Sequence, residues 1–355
     1  MSQHAATSGR AAPSAVLDRL SHVSAVRGAP ALAERLAHLD RWVRADLSEF
    51  ERELDAIPRG ARMIHQAAHH LLDLRGKALR PLCVALTSRF GEGFTPRARS
   101  LAVAVELVHS ATLLHDDVVD AAERRRGAPT ASVVYGNAAS IFAGDWLLIA
   151  ALRRIRESGV EGVLDRMLGV IDEMIAAESV QLERRGKIAG AREDYFAIVE
   201  GKTAALFRWA MIAGARAAEL PASSEAALER YGLHLGVAFQ AVDDELDYGV
   251  AGAHTGKDAL ADLREGKITF PLVVALEREP TLRGRIETLM ARDVVATDEL
   301  AAIATAVRNT GALVATRALA EEHVQKALAV LEELPAVPAR DALVTVALAS
   351  LERQS

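Results

Sequence analysis

An all-α fold, a single domain of about ten or more helices around a central cavity, is what this sequence predicts. Three observations lead there. Half of the 355 residues are hydrophobic but only 4% are aromatic, and alanine and leucine dominate, a balance that favours helix over sheet. No strand-like alternation lasts beyond a few residues, and no repeat of fixed period occurs. Two aspartate pairs, each followed three residues later by a third aspartate, sit in apolar helical sequence. They are Asp116, Asp117 and Asp120 in LLHDDVVD, and Asp243, Asp244 and Asp247 in FQAVDDELDY.

Helical patterns follow one another from about residue 31 to 352, and turn-forming residues separate them. Pro58–Gly60 closes the first. The next runs to Gly91–Pro96 and carries Lys77, Arg80 and Cys83. The third holds the first aspartate cluster and stops at Arg126–Pro129. Further breaks fall at Ser158–Gly162, Gly186–Ala191 and Leu220–Ser224, after which comes the helix of the second aspartate cluster. Gly249–Gly256, Pro280, Gly311 and Pro335–Pro338 divide the rest. Asp194 and Ser223 are candidate helix caps. None of the breaks reads as an interdomain linker, so residues 31–355 form one helical domain. Residues 1–30, rich in Ala, Ser and Gly, read as a disordered tail, with a transit peptide as the alternative.

A formal net charge of −6 argues against a general nucleic-acid binder. The single cysteine, Cys83, excludes an intramolecular disulfide, fits a reducing compartment and, among apolar neighbours, reads as a buried thiol. No uncharged apolar run reaches the roughly 18 residues of a membrane span.

Residues four apart share a helical face, so Asp116 pairs with Asp120 and Asp243 with Asp247. Carboxylates this dense in apolar sequence repel one another and need positive compensation. Oxygen donors without a Cys or His cluster suit Mg²⁺, which shares its coordination with substrate phosphates. Two such clusters facing each other would hold a diphosphate. One isolated cluster could equally be a solvated helix face, but two in apolar helices argue for a site. The basic residues fit a diphosphate too: Lys77 and Arg80 in RGKALRP, Arg124, Arg125 and Arg126 in ERRRGAPT, Lys202 in EGKTAALF, and Lys257 and Lys267 in HTGKD and REGKITFP. Each group alone reads as solvated surface. Their placement beside glycines and beside the aspartate helices points to phosphate binding.

With these strings in place, the chain resembles the trans-isoprenyl diphosphate synthases, or polyprenyl synthetases. GKALRP, HSATLLHDDVVD, RRGAPT, GNAASIFAGDWLL, EGKTAALF, AFQAVDDELDY, GKD and DLREGKITFPL occur in the family's order between residues 76 and 272. The resemblance implies head-to-tail transfer of an allylic diphosphate onto isopentenyl diphosphate. It implies three Mg²⁺, two bound by Asp116 and Asp120 and one by Asp243, with Asp117, Asp244 and Asp247 in support. Arg125, Lys202 and Lys257 match positions that hold the allylic diphosphate. Lys77, Arg80, His109 and Arg126 match those that hold isopentenyl diphosphate. Thr203 and Gln240 match polar groups near the developing carbocation, and Lys267 a residue that closes over the site. A lone histidine on an apolar helix is usually a core residue, but the match favours a substrate contact for His109. The family pattern usually has two glycines before Lys77, where this chain has Arg75 and Gly76.

The product tail is expected to grow down the helix of the first cluster, so Ala111 and Thr112 form its floor. Both are small, where short-chain members place an aromatic. A long-chain C30–C50 product is therefore expected, with a C15–C20 product as the alternative if Phe142 or Met174 closes the tunnel. A terpene cyclase is a competing reading, disfavoured by RGKALRP and the paired arginines. A non-catalytic subunit of a heteromeric synthase is another, disfavoured by the intact aspartates. A homodimer, a cytoplasmic location and at most peripheral membrane contact are expected from the resemblance.

Overall fold

The structure is a computed structural model and describes residues 30–188, 191–249, 260–290, 292 and 296–352. Helix α1 spans Pro30–Asp55, α2 Met63–Asp73, α3 Leu79–Ser88 and α4 Pro96–Val119. A hairpin of two-residue strands, β1 Arg124–Arg125 and β2 Ala128–Pro129, precedes α5 Ala131–Tyr135 and α6 Asn137–Glu157. Then come α7 Val163–Arg184, α8 Ala191–Ile198, a π-helical turn Val199–Ala204, α9 Ala205–Ala217 and α10 Ala222–Tyr248. Helices α11 Ala261–Arg264, α12 Phe270–Arg278, α13 Arg283–Met290, α14 Thr297–Asn309, α15 Ala312–Leu331 and α16 Pro338–Leu351 complete it.

Helix α4 lies at the centre. Its stretch Leu101–Val108 is wholly buried, as α3, α6 and α9 pack around it. It starts where Thr95 accepts the Ala98 N–H at 3.4 Å and Pro96 pre-sets the first turn. Helix α10 packs on α9 and α15, and a second apolar cluster joins it to α12 and α14. The buried polar tips find partners: Trp209 Nε1 donates to the Val163 carbonyl at 3.1 Å and Tyr231 Oη to that of Leu343 at 2.7 Å. Burial pushes the Cys83 thiol up to about 12, which makes it unreactive.

The boundaries differ from expectation in four places. The expected caps are not caps: α10 starts after Pro221 with Ser223 inside it, and Asp194 lies in the first turn of α8, paired with Arg184 at 2.8 Å. The 124–129 hairpin is too short to leave a strand pattern in sequence. A break at Gly136, where φ is +87°, separates α5 from α6. The chain also leaves its helix between α2 and α3, where Arg75 and Ala78 take φ of +33° and +43°. The first of these explains the family's glycine at that position, because the left-handed region strains a side chain. Arg75 occupies it while its guanidinium ion-pairs with Asp55.

Candidate active site

The first aspartate cluster ends α4, and the turn is continued by the Asp120 N–H donating to the Asp116 carbonyl at 2.8 Å. Asp116 and Asp120 point into a ring of cations. Lys202 Nζ lies 3.7 Å from Asp116 Oδ2 and donates to Glu178 on α7. Lys267 Nζ donates to Asp120 Oδ2 at 2.7 Å and lies 2.6 Å from Glu265. Arg185 donates to Asp120 Oδ1 at 3.2 Å. Burial raises Asp116 above the usual carboxylate range; Lys202 opposes this, and Glu178 and Asp120 add to it. Burial alone would lower Lys267, but Asp262, Asp120 and Glu265 together hold it above its ordinary value, so it stays charged.

Asp117 faces the other way. It is 1% exposed and accepts from Arg125 Nε at 2.7 Å. Burial raises it and Arg125 counteracts. That pair ties the end of α4 to the β1–β2 hairpin. Arg125 is therefore held by Asp117 in the structure, and Asp117 acts through that arginine.

The second cluster lies on α10. Asp243 and Asp247 are half-buried one turn apart, while Asp244 is buried. Asp244 accepts from Gln240 Nε2 at 2.9 Å and from the Phe270 N–H at 3.1 Å. Burial, then nearby Asp262, pushes it up to about 8 despite those two donors. Thr203 Oγ1 donates to Gln240 Oε1 at 2.9 Å, so a chain of hydrogen bonds runs from the π turn through α10 to the start of α12. Thr203 and Gln240, both matched to polar groups near the carbocation, thus meet each other. The oxygens of Asp244, expected in support of Asp243, accept from α10 and α12, which makes it a positioning carboxylate.

Lys202 and Thr203 stand on the π turn, a feature no periodicity announced and one common at functional sites. The residues that the resemblance matched to isopentenyl diphosphate gather separately. Half-buried His109 is held well below its usual value by burial and by Arg80, Arg126 and Arg125, so it is neutral. The Arg80 guanidinium lies 4.6 Å over the Phe207 ring. The Arg126 guanidinium lies against Gly76, where a Cβ would come within 2.6 Å of Nη2. Lys77 is exposed in the turn before α3. Lys257 lies outside the described residues.

Of the expected floor residues, Ala111 is 1% exposed and packed in the core; Thr112 alone keeps exposed surface, its hydroxyl turned back onto the His109 carbonyl at 2.8 Å. Phe142 does not point inward: it is 60% exposed on the outer face of α6. Surface recesses of about 540 and 510 Å³, lined by Arg208, Glu229 and Glu333 and by Arg59, His70 and Tyr135, hold none of these site residues. Sequence reading missed Glu178, Arg185, Asp262 and Glu265. Glu178 and Arg185 are ordinary charged residues locally, while Asp262 and Glu265 lie in the string DLREGKITFPL but had no role assigned there.

Among the described residues, no three His, Cys, Asp or Glu side chains stand close enough to cage a metal ion. Mg²⁺ needs no such cage, because it takes one or two carboxylates and fills its octahedron with phosphate oxygens and water. The all-oxygen donors of Asp116 and Asp120, beside Lys202, Lys267 and Arg185, fit that mode.

The pattern of one family, polyprenyl synthetase, matches residues 61–307. An octaprenyl diphosphate synthase of Escherichia coli is 34% identical over 306 residues, 84% of this chain and 93% of that protein. Heptaprenyl diphosphate synthase component 2 of Geobacillus stearothermophilus is 34% identical over 317 residues, 88% of this chain and 98% of that protein. Among solved structures, a polyprenyl synthase from Caulobacter crescentus complexed with calcium and isoprenyl diphosphate superposes with a TM-score of 0.85 at 35% identity, covering 89% of this chain and 97% of that one.

Proposed function

This chain belongs to the polyprenyl synthetase family, and on that premise we propose how it makes a long-chain trans-polyprenyl diphosphate. It is a prenyltransferase that joins isopentenyl diphosphate head-to-tail to an allylic diphosphate, extending the product to C30–C50. The observation that best supports the site assignment is the meeting of Asp116 and Asp120 with Lys202 and Lys267, which come from three distant parts of the chain.

Asp116 and Asp120 hold one side of the allylic diphosphate through Mg²⁺, and Asp243, with Asp247 behind it, holds the other. Three Mg²⁺ ions, when bound, stabilise charge on the departing diphosphate. Lys202, Lys257 and Arg125 bind the same group. Lys77, Arg80, Arg126 and neutral His109 bind isopentenyl diphosphate, with His109 offering a hydrogen bond and no charge. Thr203 and Gln240, locked together at 2.9 Å, turn oxygen dipoles toward the developing allylic cation. The isopentenyl double bond attacks that cation, and the proton then lost goes to the released diphosphate. Water would quench the cation, so closure by Lys267 onto Asp120 keeps the site dry. Thr112, small and partly exposed beneath Asp116, lets the tail pass.

We further propose a homodimer. Leu168, Ile175 and Leu182 recur every seven residues along α7 and are exposed, as are Ile141, Phe142 and Ile149 on α6. Large apolar side chains exposed in stripes along adjacent helices suit a surface covered by a second copy of the chain. No helix among the described residues is long and apolar enough to cross a membrane.

Product analysis tests the reaction. Purified chain, Mg²⁺, isopentenyl diphosphate and farnesyl diphosphate are expected to give polyprenyl diphosphates of C30 or longer by mass spectrometry. A stop at C20 would mean that another side chain closes the tunnel above Thr112. Failure to elongate any allylic primer would overturn the reading.

A further inference from the structure

Asp120 carries two cations at once. Arg185 Nη2 donates to Oδ1 at 3.2 Å, and Lys267 Nζ donates to Oδ2 at 2.7 Å. Both oxygens of the carboxylate are therefore engaged. Arg185 has a second hold: its Nε donates to the Glu265 carbonyl at 2.7 Å. Its backbone neighbour Gly186 donates to the Gly266 carbonyl at 3.0 Å, so the root of the side chain is tied to the same loop that delivers Lys267. Arg185 belongs to none of the strings that relate this chain to its family.

A metal ion on Asp120 requires a carboxylate oxygen at about 2.0–2.1 Å. The carboxylate has lone pairs to spare, but a divalent cation beside it repels the guanidinium. That repulsion favours release of Arg185 from Asp120 while Nε stays anchored on the Glu265 carbonyl. A diphosphate held through a metal on Asp120 would bring negative oxygens to the same side of Arg185. A planar guanidinium donates two parallel hydrogen bonds to such oxygens, and one already anchored loses little further freedom in doing so.

We propose that Arg185 is an additional allylic-diphosphate-binding residue. Its guanidinium pairs with Asp120 in the structure and, with substrate bound, turns about the Nε–Glu265 anchor onto the diphosphate. This rests on the assignment of Asp120 to metal binding above.

Isothermal titration calorimetry with inorganic pyrophosphate and Mg²⁺ tests it on the full chain. Arg185→Gln is expected to weaken pyrophosphate binding about tenfold, the worth of a charge-assisted pair. Arg185→Lys keeps the charge but loses the fork and is expected to weaken it about threefold. In steady-state kinetics Arg185→Gln raises KM for the allylic substrate and leaves that for isopentenyl diphosphate unchanged, a split that a general loss of structure would not produce. Unchanged or tighter pyrophosphate binding in Arg185→Gln would make Arg185 only a competitor of the metal and overturn the proposal. If Arg185→Gln does not fold, wild-type affinity in Arg185→Lys overturns it equally. A wild-type protein that binds no Mg²⁺–pyrophosphate would instead sink the assignment of the aspartate site itself.

Discussion

Gly76 is bare because a guanidinium needs its space. A Cβ there would lie 2.6 Å from Arg126 Nη2 and 3.1 Å from its Cζ. Gly76→Ala therefore displaces Arg126 from its seat. The expected outcome in steady-state kinetics is a rise of about tenfold in KM for isopentenyl diphosphate with the allylic KM unchanged. A rise confined to the allylic KM would place Arg126 on the other substrate, and equal rises in both would deny it a substrate-specific role. The family resemblance grouped Arg126 with Lys77, Arg80 and His109, and Gly76 lies in the string beside Lys77. It could not show that Arg126 rests on Gly76, since 50 positions separate them. Arg75 is the converse case. Its place before Gly76 looks like an arbitrary departure until φ of +33° shows why a glycine suits the position.

The π turn at Val199–Ala204 is the element that most shapes the site. Its extra residue per turn shifts the register, so that Lys202 meets Asp116 and Glu178 while Thr203 meets Gln240. Gly201 lets the turn sit on α7, where a Cβ would lie 2.7 Å from that of Ala177 and 3.0 Å from the Glu173 carbonyl. Helix α10 is held on its other side by α15, and there His234 and His323 face each other with Nδ1 atoms 3.3 Å apart. One ring donates and the other accepts, so at most one of the two can carry a charge. Burial, then His234 and Lys326, lowers His323 to about 4, with Glu322 opposing. The unfolded chain binds that proton near 6.5. Between about pH 6.5 and 4 the unfolded state therefore holds more protons, and this contribution to stability is lost as pH falls. Chemical denaturation at pH 7 and pH 5 is expected to show His323→Gln losing on the order of 1–2 kcal/mol less than wild type over that interval. Equal losses would mean that His323 takes its proton while folded.

At the scale of the molecule, the apolar stripes of α6 and α7 face outward while polar and charged side chains fill the space between the aspartate helices. Phe142, expected as a possible plug of the tunnel, belongs to the outer stripe, 60% exposed. Replacing it by glutamate, together with Ile149→Glu, places two charges on that stripe. Light scattering after size-exclusion chromatography is expected to show a dimer for wild type and a monomer for the double variant, because an unpaired buried carboxylate costs more than the contact returns. A dimer that survives both changes would move the interface elsewhere.

By itself the sequence determined the helical class, most of the chain breaks, the two aspartate clusters and the family. All of these are local: propensity and periodicity act over one or two turns, and each motif is a contiguous string. Only the tertiary structure decided what each charge does. Asp116 and Asp117 are neighbours, yet one turns to Lys202 and the other to Arg125. Asp243 and Asp244 are neighbours, yet Asp244 is committed to the Phe270 N–H. Asp120 receives Lys267 from 147 positions away and Arg185 from 65. A helical repeat tells which face a carboxylate occupies. The partner it meets there is set by which helix packs against that face, and packing is a property of the whole chain.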